Sequence, residues 1–341
     1  MILTSSFHSP VLLAEVLEGL SVSPGKKYID ATIGGGGHTD QILKLGGLVL
    51  GIDQDIDAIN YLKRKYSRLS GIHDAVVAHS SQTASGQKNR PKADQPLAEN
   101  INNQIGRNLF LAHGNFSNLK KIADKFRFKP VSGILFDLGM SSYQLEKSGR
   151  GFSWQRDEPL DMRMDETSGI TAADILNSGS NEALYEIFSK YSEELNSGTI
   201  SRAIFRARTI DGQIKRTIQL VAIIEKELRK IYPSLLPFEF EKIRSGVLSR
   251  IFQALRIKVN DEIKDIKLGL SHAIDLLATG GRLVVISFHS IEDRIVKINF
   301  KQAGQQDKVR LITKQPIVAQ QREIATNYRS RSAKLRIVEK I

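Results

Sequence analysis

The feature that most constrains this chain is a run of four glycines directly after an apolar strand pattern. Residues 28–38 read Tyr-Ile-Asp-Ala-Thr-Ile-Gly-Gly-Gly-Gly-His. Glycine adopts positive φ at little steric cost and lets a ligand approach the main chain closely. A strand, a glycine turn and a helix start together form the ligand-binding corner of a doubly wound α/β sheet. We therefore predict such a corner here, with Thr39 capping a helix over 40–45.

An acidic residue closes the next strand pattern. That pattern covers 48–53 and ends in Asp53, fifteen residues after His38. A carboxylate at the end of the second strand is placed to accept hydrogen bonds from ribose hydroxyls. The turn and the acid together predict a nucleoside pocket, although a glycine loop without a ligand is the simpler alternative.

Two nucleoside ligands fit this corner. A dinucleotide favours the pattern G-x-G-x-x-G/A, which Gly34, Gly36 and Thr39 meet only in part. S-adenosylmethionine has no pyrophosphate, so it needs glycine for close approach of its adenosyl group rather than that strict pattern. The residues of the turn leave both ligands open.

The composition excludes several kinds of site. The chain has no cysteine, which rules out disulfides, cysteine zinc sites and a thiol nucleophile. Its seven histidines are scattered singly, without metal-ligand spacing, so we expect no metal. Forty-nine Lys and Arg against 37 Asp and Glu give a formal net charge of +12, which favours a polyanionic partner. Neither a run of about 18 apolar residues nor a signal-peptide pattern occurs, so we expect a cytoplasmic protein without a membrane partner.

The apolar patterns predict one α/β domain interrupted twice. Further strands are expected at 109–112, 131–137, 282–288, 309–313 and 335–339. The polar composition of 74–108 predicts a flexible insertion that buries no core. Residues 145–246 contain several helical patterns, with prolines at 233 and 237 ending the last of them, and predict a helical cap domain.

Polar residues follow the later strands, where ligands collect in open α/β sheets. Asp137 ends the strand over 131–137, and Ser141 and Ser142 follow it in a glycine-bearing turn. His289 follows the strand over 282–288. These positions predict that all four side chains lie at one edge of the sheet.

Two further groups are candidates for binding a polyanion. Apolar residues at helical spacing predict one long helix over 248–277, and Gln253, Arg256 and Asn260 form a polar stripe on it. The alternative is an ordinary solvated face. Arg329 and Arg331 lie in a basic loop suited to phosphate contacts.

With these residues in hand, the chain closely resembles the MraW (RsmH) family of ribosomal RNA small-subunit methyltransferases. Nearly the whole chain is covered, apart from 74–108 and parts of the cap. The matching blocks are 8–13, 30–32, 34–38, 137–139, 150–153, 159–165, 252–257, 287–290, 292–294 and 329–332. The resemblance implies a Rossmann-like class I S-adenosylmethionine-dependent methyltransferase fold. Residues 1–144 and 247–341 are then the methyltransferase domain, and 145–246 the helical cap for substrate recognition.

The implied reaction is N4-methylation of a cytidine in 16S rRNA, at cytosine 1402 of the decoding centre in the usual rRNA numbering, with S-adenosylmethionine as donor. The implied partner is 16S rRNA within the small ribosomal subunit, and a homodimer stays open. The family's cofactor contacts fall on Gly36, Gly37, His38, Asp53, Phe116, Asp137 and Gln144, and we add Gly34 from the same turn. Candidate catalytic residues are Asp137, Ser141 and Ser142, with Asp137 ranked first. Candidate substrate-binding residues are Arg256, Asn260, His289, Arg329 and Arg331.

Several other functions compete with this one. Methylation at cytosine C5 normally needs a thiolate, so the absence of cysteine favours methylation of an amine. A DNA cytosine-N4 or adenine-N6 methyltransferase would share the fold, but Leu138-Gly139 follows Asp137 where such enzymes normally have a Pro-Pro-Tyr/Phe-type turn. A nicotinamide dehydrogenase and a non-catalytic RNA-binding assembly factor are the remaining alternatives.

Overall fold

The computed structural model of this protein describes residues 10–78, 104–105, 108–167 and 169–341. The chain divides into two compact units. Unit 1 is Met1–Gly139 together with Asp265–Ile341, and unit 2 is Met140–Lys264. The unit boundaries thus fall at 139/140 and 264/265, where the sequence patterns suggested 144/145 and 246/247.

One sheet organises unit 1. In the described residues its strands are β1 Lys27–Asp30, β2 Leu48–Asp53, β3 Gln104–Ile105, β4 Leu109–His113, β5 Val131–Asp137, β6 Leu277–Ser287, β7 Val309–Leu311, β8 Ile317–Val318 and β9 Lys334–Lys340. Their order is β3-β4-β2-β1-β5-β6-β9-β7, with β8 paired to β9. Strands β4, β2, β1, β5 and β6 are parallel, and β3, β7, β8 and β9 pair antiparallel. The predicted doubly wound α/β fold is confirmed.

The helices of the described chain, in order, are α1 Leu13–Leu20, α2 Gly37–Lys44, α3 Ile56–Ala78, α4 Leu119–Lys125, α5 Ser142–Glu146, α6 Ala172–Ser178, α7 Asn181–Ser192, α8 Ser197–Ile210, α9 Thr217–Ile231, α10 Pro237–Val259, α11 Glu262–Leu276, α12 Ser290–Gln305 and α13 Gln321–Thr326. None of them combines the length and apolarity needed to cross a membrane.

The central strands are buried on both faces, which explains why they are apolar throughout. Ile29, Leu50 and Ile134 belong to the core on one side of the sheet. Their neighbours Tyr28 and Val49 belong to the core on the other side. Unit 2 has its own core, in which helices α6 to α10 bury their apolar faces.

Three local predictions are wrong. The long helix over 248–277 is two helices, because Asp261 adopts a left-handed φ of 48° between α10 and α11, and β6 already begins at Leu277. Pro237 opens α10 instead of ending α9, since proline lacks only an N–H that the first helical turn leaves unpaired. Helix α2 begins at Gly37, so Thr39 lies inside it.

The flexible insertion predicted over 74–108 is described only near its two ends. Helix α3 continues through Ala78, and Gln104–Ile105 forms the short edge strand β3. Both ends of the segment are therefore regular structure. Residues 79–103 and 106–107 lie outside the described residues, as does Ser168 in unit 2.

Candidate active site

The glycine turn between β1 and α2 requires glycine at Gly36. This residue has φ 77°, and a Cβ there would lie 2.9 Å from both Leu62 Cδ2 and the Tyr66 hydroxyl. Gly34 has φ 48°, and a Cβ on Gly37 would lie 3.2 Å from the Pro10 ring. A side chain at Gly36 is thus excluded by backbone strain and by contact together.

Asp30, which was not among the predicted site residues, supports this turn from the end of β1. It is buried, and its Oδ2 accepts a hydrogen bond from Thr39 Oγ1 at 2.7 Å. Burial raises the pKa of Asp30 above its ordinary value. The Thr39 hydroxyl, which we expected to cap α2, therefore binds the carboxylate of Asp30 in the preceding strand. The sequence signal that could have identified Asp30 is its position as an acid at the end of the apolar run before the glycine turn.

Asp53 joins the end of β2 to the same turn. Its Oδ2 accepts from the Gly34 N–H at 2.8 Å, and its Oδ1 accepts from the Asp55 N–H at 2.9 Å. Burial is the main cause that raises the pKa of Asp53 to about 6, so it is mostly ionised at neutral pH. Each carboxylate oxygen can accept a second hydrogen bond, which leaves acceptors for ligand hydroxyls.

Helix α3 holds the glycine turn from behind. Lys65 Nζ donates to the Gly35 carbonyl at 3.3 Å and to Asp40 Oδ2 at 2.6 Å. The Tyr66 hydroxyl donates to the other oxygen of Asp40 at 2.6 Å. We call Asp40, Lys65 and Tyr66 the Asp40 clamp. It connects the start of α2 to α3 across the turn.

His38 is buried on the first turn of α2. Its Nε2 lies 3.0 Å from the Val11 carbonyl, which can only accept, so Nε2 carries the proton. Burial lowers the pKa of His38, which keeps the imidazole neutral at pH 7. Leu12, the residue after Val11, donates its N–H to Glu323 Oε1 of α13 at 2.8 Å. The tail of the chain thereby holds the segment that contacts His38.

Asp137, at the carboxyl end of β5, has the least satisfied side chain near the turn. Its Oδ2 lies 3.7 Å from His38 Nδ1, and its Oδ1 is buried without a hydrogen-bond partner in the described part of the chain. Its main-chain N–H donates to Thr32 Oγ1 at 2.7 Å. Burial, followed by the charge of Glu292, raises the pKa of Asp137 to about 7, while the charge of Arg329 lowers it. A buried acceptor without a partner is costly unless a ligand supplies a donor.

Comparison with known proteins identifies the family of this chain. A profile of the MraW methylase family matches residues 5–94 and 70–341. The chain belongs to the MraW methylase family. The predicted family is thus confirmed.

Three relatives of this methylase carry the name Ribosomal RNA small subunit methyltransferase H. The protein of Halothermothrix orenii is 36% identical over 355 residues and that of Carboxydothermus hydrogenoformans 36% over 350, each alignment covering 98% of both chains. The protein of Thermomicrobium roseum is 39% identical over 359 residues, covering 99% of this chain and 94% of the relative.

Phe116 lies just beyond β4 in this methylase, in a short 3-10 helix. Its ring packs edge-on against Phe136, with centroids 5.3 Å apart. Asn115 caps that helix and donates to Gln54 Oε1 and Asp265 Oδ2, both at 2.7 Å. The loop after β4 is therefore tied to the end of β2, where Asp53 lies.

Ser141, the first serine after β5, has a structural role that its Ser-x-x-Gln spacing to Gln144 could have indicated. Ser141 Oγ accepts from the Gln144 N–H at 3.1 Å, and the Gln144 side chain accepts from the Ser141 N–H at 3.0 Å. This reciprocal capping box starts α5 and fixes both predicted site residues. The side chain of Ser142 lies outside the described part of the chain.

Arg256 and Asn260 are held firmly within unit 2. The Arg256 guanidinium binds Glu262 through two hydrogen bonds, of 2.7 and 2.9 Å, and is buried. Asn260 accepts from the Met164 N–H and donates to the Met162 carbonyl, both at 2.8 Å. Asn260 thus organises the loop around Met162, which has φ 61°, while Arg256 joins the end of α10 to the start of α11. Their predicted contact with the substrate stays a prediction.

The remaining predicted residues lie in unit 1. His289 caps α12, with Nδ1 accepting from the Glu292 N–H at 3.4 Å and Nε2 3.0 Å from Glu292 Oε1. Glu292 is fully buried and accepts from the Phe288 N–H at 2.8 Å. Arg331 is exposed and lies 4.7 Å above the Tyr328 ring. Arg329 is half-buried, and its charge lowers the pKa of Asp137. The sequence analysis placed Arg329 in a phosphate-binding loop and missed this effect.

Proposed function

We propose that this methylase transfers a methyl group from S-adenosylmethionine to the exocyclic N4 of a cytidine in 16S rRNA, at C1402. The observation that carries the proposal is the buried, unpartnered Oδ1 of Asp137 beside the glycine turn. Family membership and the names of the relatives support an rRNA methyltransferase. Unit 2 is assigned to recognition of the RNA, and the cytoplasm is the expected location.

The residues of unit 1 fit S-adenosylmethionine. Gly36 keeps the turn free of side chains, as close approach of an adenosyl group requires. Asp53 offers ionised oxygens to ribose hydroxyls, and Phe116 offers a ring edge fixed by Phe136. When bound, S-adenosylmethionine supplies a methyl group on a positively charged sulfur, an electrophile for in-line displacement.

Asp137 has the chemistry that the acceptor base needs. The lone pair of the cytosine amino nitrogen is delocalised into the ring, so this nitrogen is a weak nucleophile. Asp137 Oδ1 accepts a hydrogen bond from one amino hydrogen, which favours a pyramidal nitrogen with its lone pair available. As the nitrogen–carbon bond forms and the sulfur–carbon bond breaks, the nitrogen becomes positive and Asp137 takes its proton. His38 Nδ1 lies 3.7 Å from the other oxygen, and because neutral His38 carries its proton on Nε2, it leaves the charge of the carboxylate uncompensated.

Nucleoside mass spectrometry tests the proposal. Small ribosomal particles from cells lacking this protein are incubated with the protein and S-adenosylmethionine, and their 16S rRNA is digested. We expect N4-methylcytidine as the product. Asp137→Asn should reduce the rate by about 100-fold or more, the range for loss of a general base. Asp124→Asn, at an exposed position of α4, is the matched control.

Three alternatives give a different result when duplex DNA is offered as a second substrate in this assay, and spectroscopic binding of NADH would reveal a nicotinamide dehydrogenase. The appearance of 5-methylcytidine or N6-methyladenosine would refute the assigned atom. Methylation of duplex DNA in place of the RNA would support a DNA amino-methyltransferase. Binding of the particles without any methyl transfer would support a non-catalytic assembly factor.

A further inference from the structure

An exposed face of α8 in unit 2 combines arginines with an aromatic ring. Arg202, Phe205, Arg206 and Thr209 are all exposed and follow the i, i+3, i+4, i+7 spacing of one helix face. We call these four residues the α8 face. Phe205 is 39% exposed, although phenylalanine is usually buried.

The ring of Phe205 is held in a fixed position. The Arg208 guanidinium lies 4.6 Å from its centroid and donates to the Leu176 carbonyl at 2.6 Å. Arg208 is thus fixed at one end of α6 and packs on the ring. A ring that is both fixed and exposed loses little side-chain entropy when a second planar group stacks on it.

The charge of the α8 face is positive throughout. Residues 197–210 contain no Asp or Glu. Arg206 is 3.9 Å from Glu227 with a side chain 62% exposed, and Arg202 donates to Thr199 Oγ1 at 3.4 Å. The neighbouring helix α7, by contrast, has exposed Glu182 and Glu186.

We propose that the α8 face binds a single-stranded segment of the substrate RNA, with Arg202 and Arg206 on phosphates and Phe205 stacked on a base. Arginines beside an exposed aromatic ring are the groups that single-stranded nucleic acids require. The α8 face itself carries two arginines and no acid, so charge complementarity favours a polyanion over a protein partner. The inference rests on the proposed function, because it takes the RNA to be the substrate.

Three variants of the full-length protein test this surface. Arg202→Gln/Arg206→Gln should weaken 16S rRNA binding and reduce the slope of log affinity against log salt by about 1.4, which is two single-strand phosphate contacts. Phe205→Leu should weaken binding about fivefold or more with an unchanged slope, because stacking is insensitive to salt. Lys226→Gln/Lys242→Gln removes two exposed charges of the same unit and serves as the control.

Binding is measured by filter retention over a salt series, and transfer by the KM for RNA and by kcat. We expect the KM to follow the binding loss, with kcat at saturating RNA and affinity for S-adenosylhomocysteine unchanged. If the arginine variant matches the lysine control in affinity and slope while the wild type methylates RNA, the α8 face is only a solvated surface. If the wild type transfers no methyl group, the proposed function fails, and the binding series still decides the surface.

Discussion

Asp137 carries three features that belong together at the scale of single residues. Its Oδ1 is buried without a partner, its pKa is raised to about 7 chiefly by burial, and the charge of Arg329 opposes that rise. An ordinary carboxyl titrates near pH 3.8. Burial thus brings the pKa of Asp137 close to neutral pH, where the carboxylate can accept a proton during the reaction and release it afterwards.

The transfer rate should therefore depend on pH through Asp137. A base acts when ionised, so at saturating substrates we expect kcat to rise through about pH 7 and to level off above it. Arg329→Gln removes the charge that lowers the pKa of Asp137, and should move the midpoint upward by about half a pH unit or more.

Arg331→Gln is the control for the pH profile. It makes the same change in net charge two residues away, at an exposed side chain stacked on Tyr328. A midpoint that moves equally in both variants would show a general effect of charge and would contradict the specific influence of Arg329 on Asp137.

At the scale of elements, the glycine turn depends on contacts with α3 and α13, neither of which contains a residue proposed for the cofactor. The Asp40 clamp fixes α2 to α3, and Glu323 of α13 holds the segment that contacts His38. These contacts link parts of the chain far apart in sequence. Their physical role is to keep a flexible glycine run in one conformation before the ligand binds, which reduces the entropy cost of binding.

The Asp40 clamp yields a prediction about ligand affinity. Lys65→Met removes the donors to Gly35 and Asp40, and should weaken binding of S-adenosylhomocysteine about three- to tenfold. Tyr66→Phe removes one donor and leaves Lys65 in place, so its effect should be smaller. Isothermal titration calorimetry measures both, with the exposed neighbour Arg64→Met as control. Equal affinity of Lys65→Met and Arg64→Met would mean that the turn keeps its conformation without the clamp.

At the scale of the molecule, two compact units with separate cores share one chain. Unit 2 is inserted between β5 and β6, the strands whose ends hold Asp137 and His289. Nearly all the residues proposed for the cofactor belong to unit 1, the exception being Gln144. We therefore expect binding of the cofactor to stabilise unit 1 more than unit 2.

Hydrogen-exchange mass spectrometry with S-adenosylhomocysteine tests this expectation. A ligand at 100 times its Kd adds about 2.7 kcal/mol to the stability of the state that binds it. Amides of β1, β2 and β5 that exchange through unfolding of unit 1 should then slow by up to about 100-fold. Peptides from α6 to α9 should change less. Protection concentrated in α6 to α9 would place the ligand with unit 2 and contradict the assignment of Asp53.

The sequence by itself determined the order of the central strands along the chain and the glycine corner. Strands buried on both faces must be apolar throughout, so 48–53 and 131–137 were recognisable without any tertiary information. The glycine run, Asp53 and Asp137 were found because an active site at strand ends leaves polar residues directly after apolar runs. The family followed from blocks spread along the whole chain.

Only the tertiary structure decided which side chains meet. Lys65 and Asp40 are 25 residues apart, and Leu12 and Glu323 are 311 apart, so no local pattern pairs them. The same limit hid the charge of Arg329 at Asp137 and the ion pair of Arg256 with Glu262 across the break between two helices. The capping box of Ser141 with Gln144, in contrast, follows a local Ser-x-x-Gln pattern that could have been recognised in the sequence. Sequence periodicity reports which face of an element is buried, whereas hydrogen bonds and pKa values depend on atoms brought within a few ångströms by the fold.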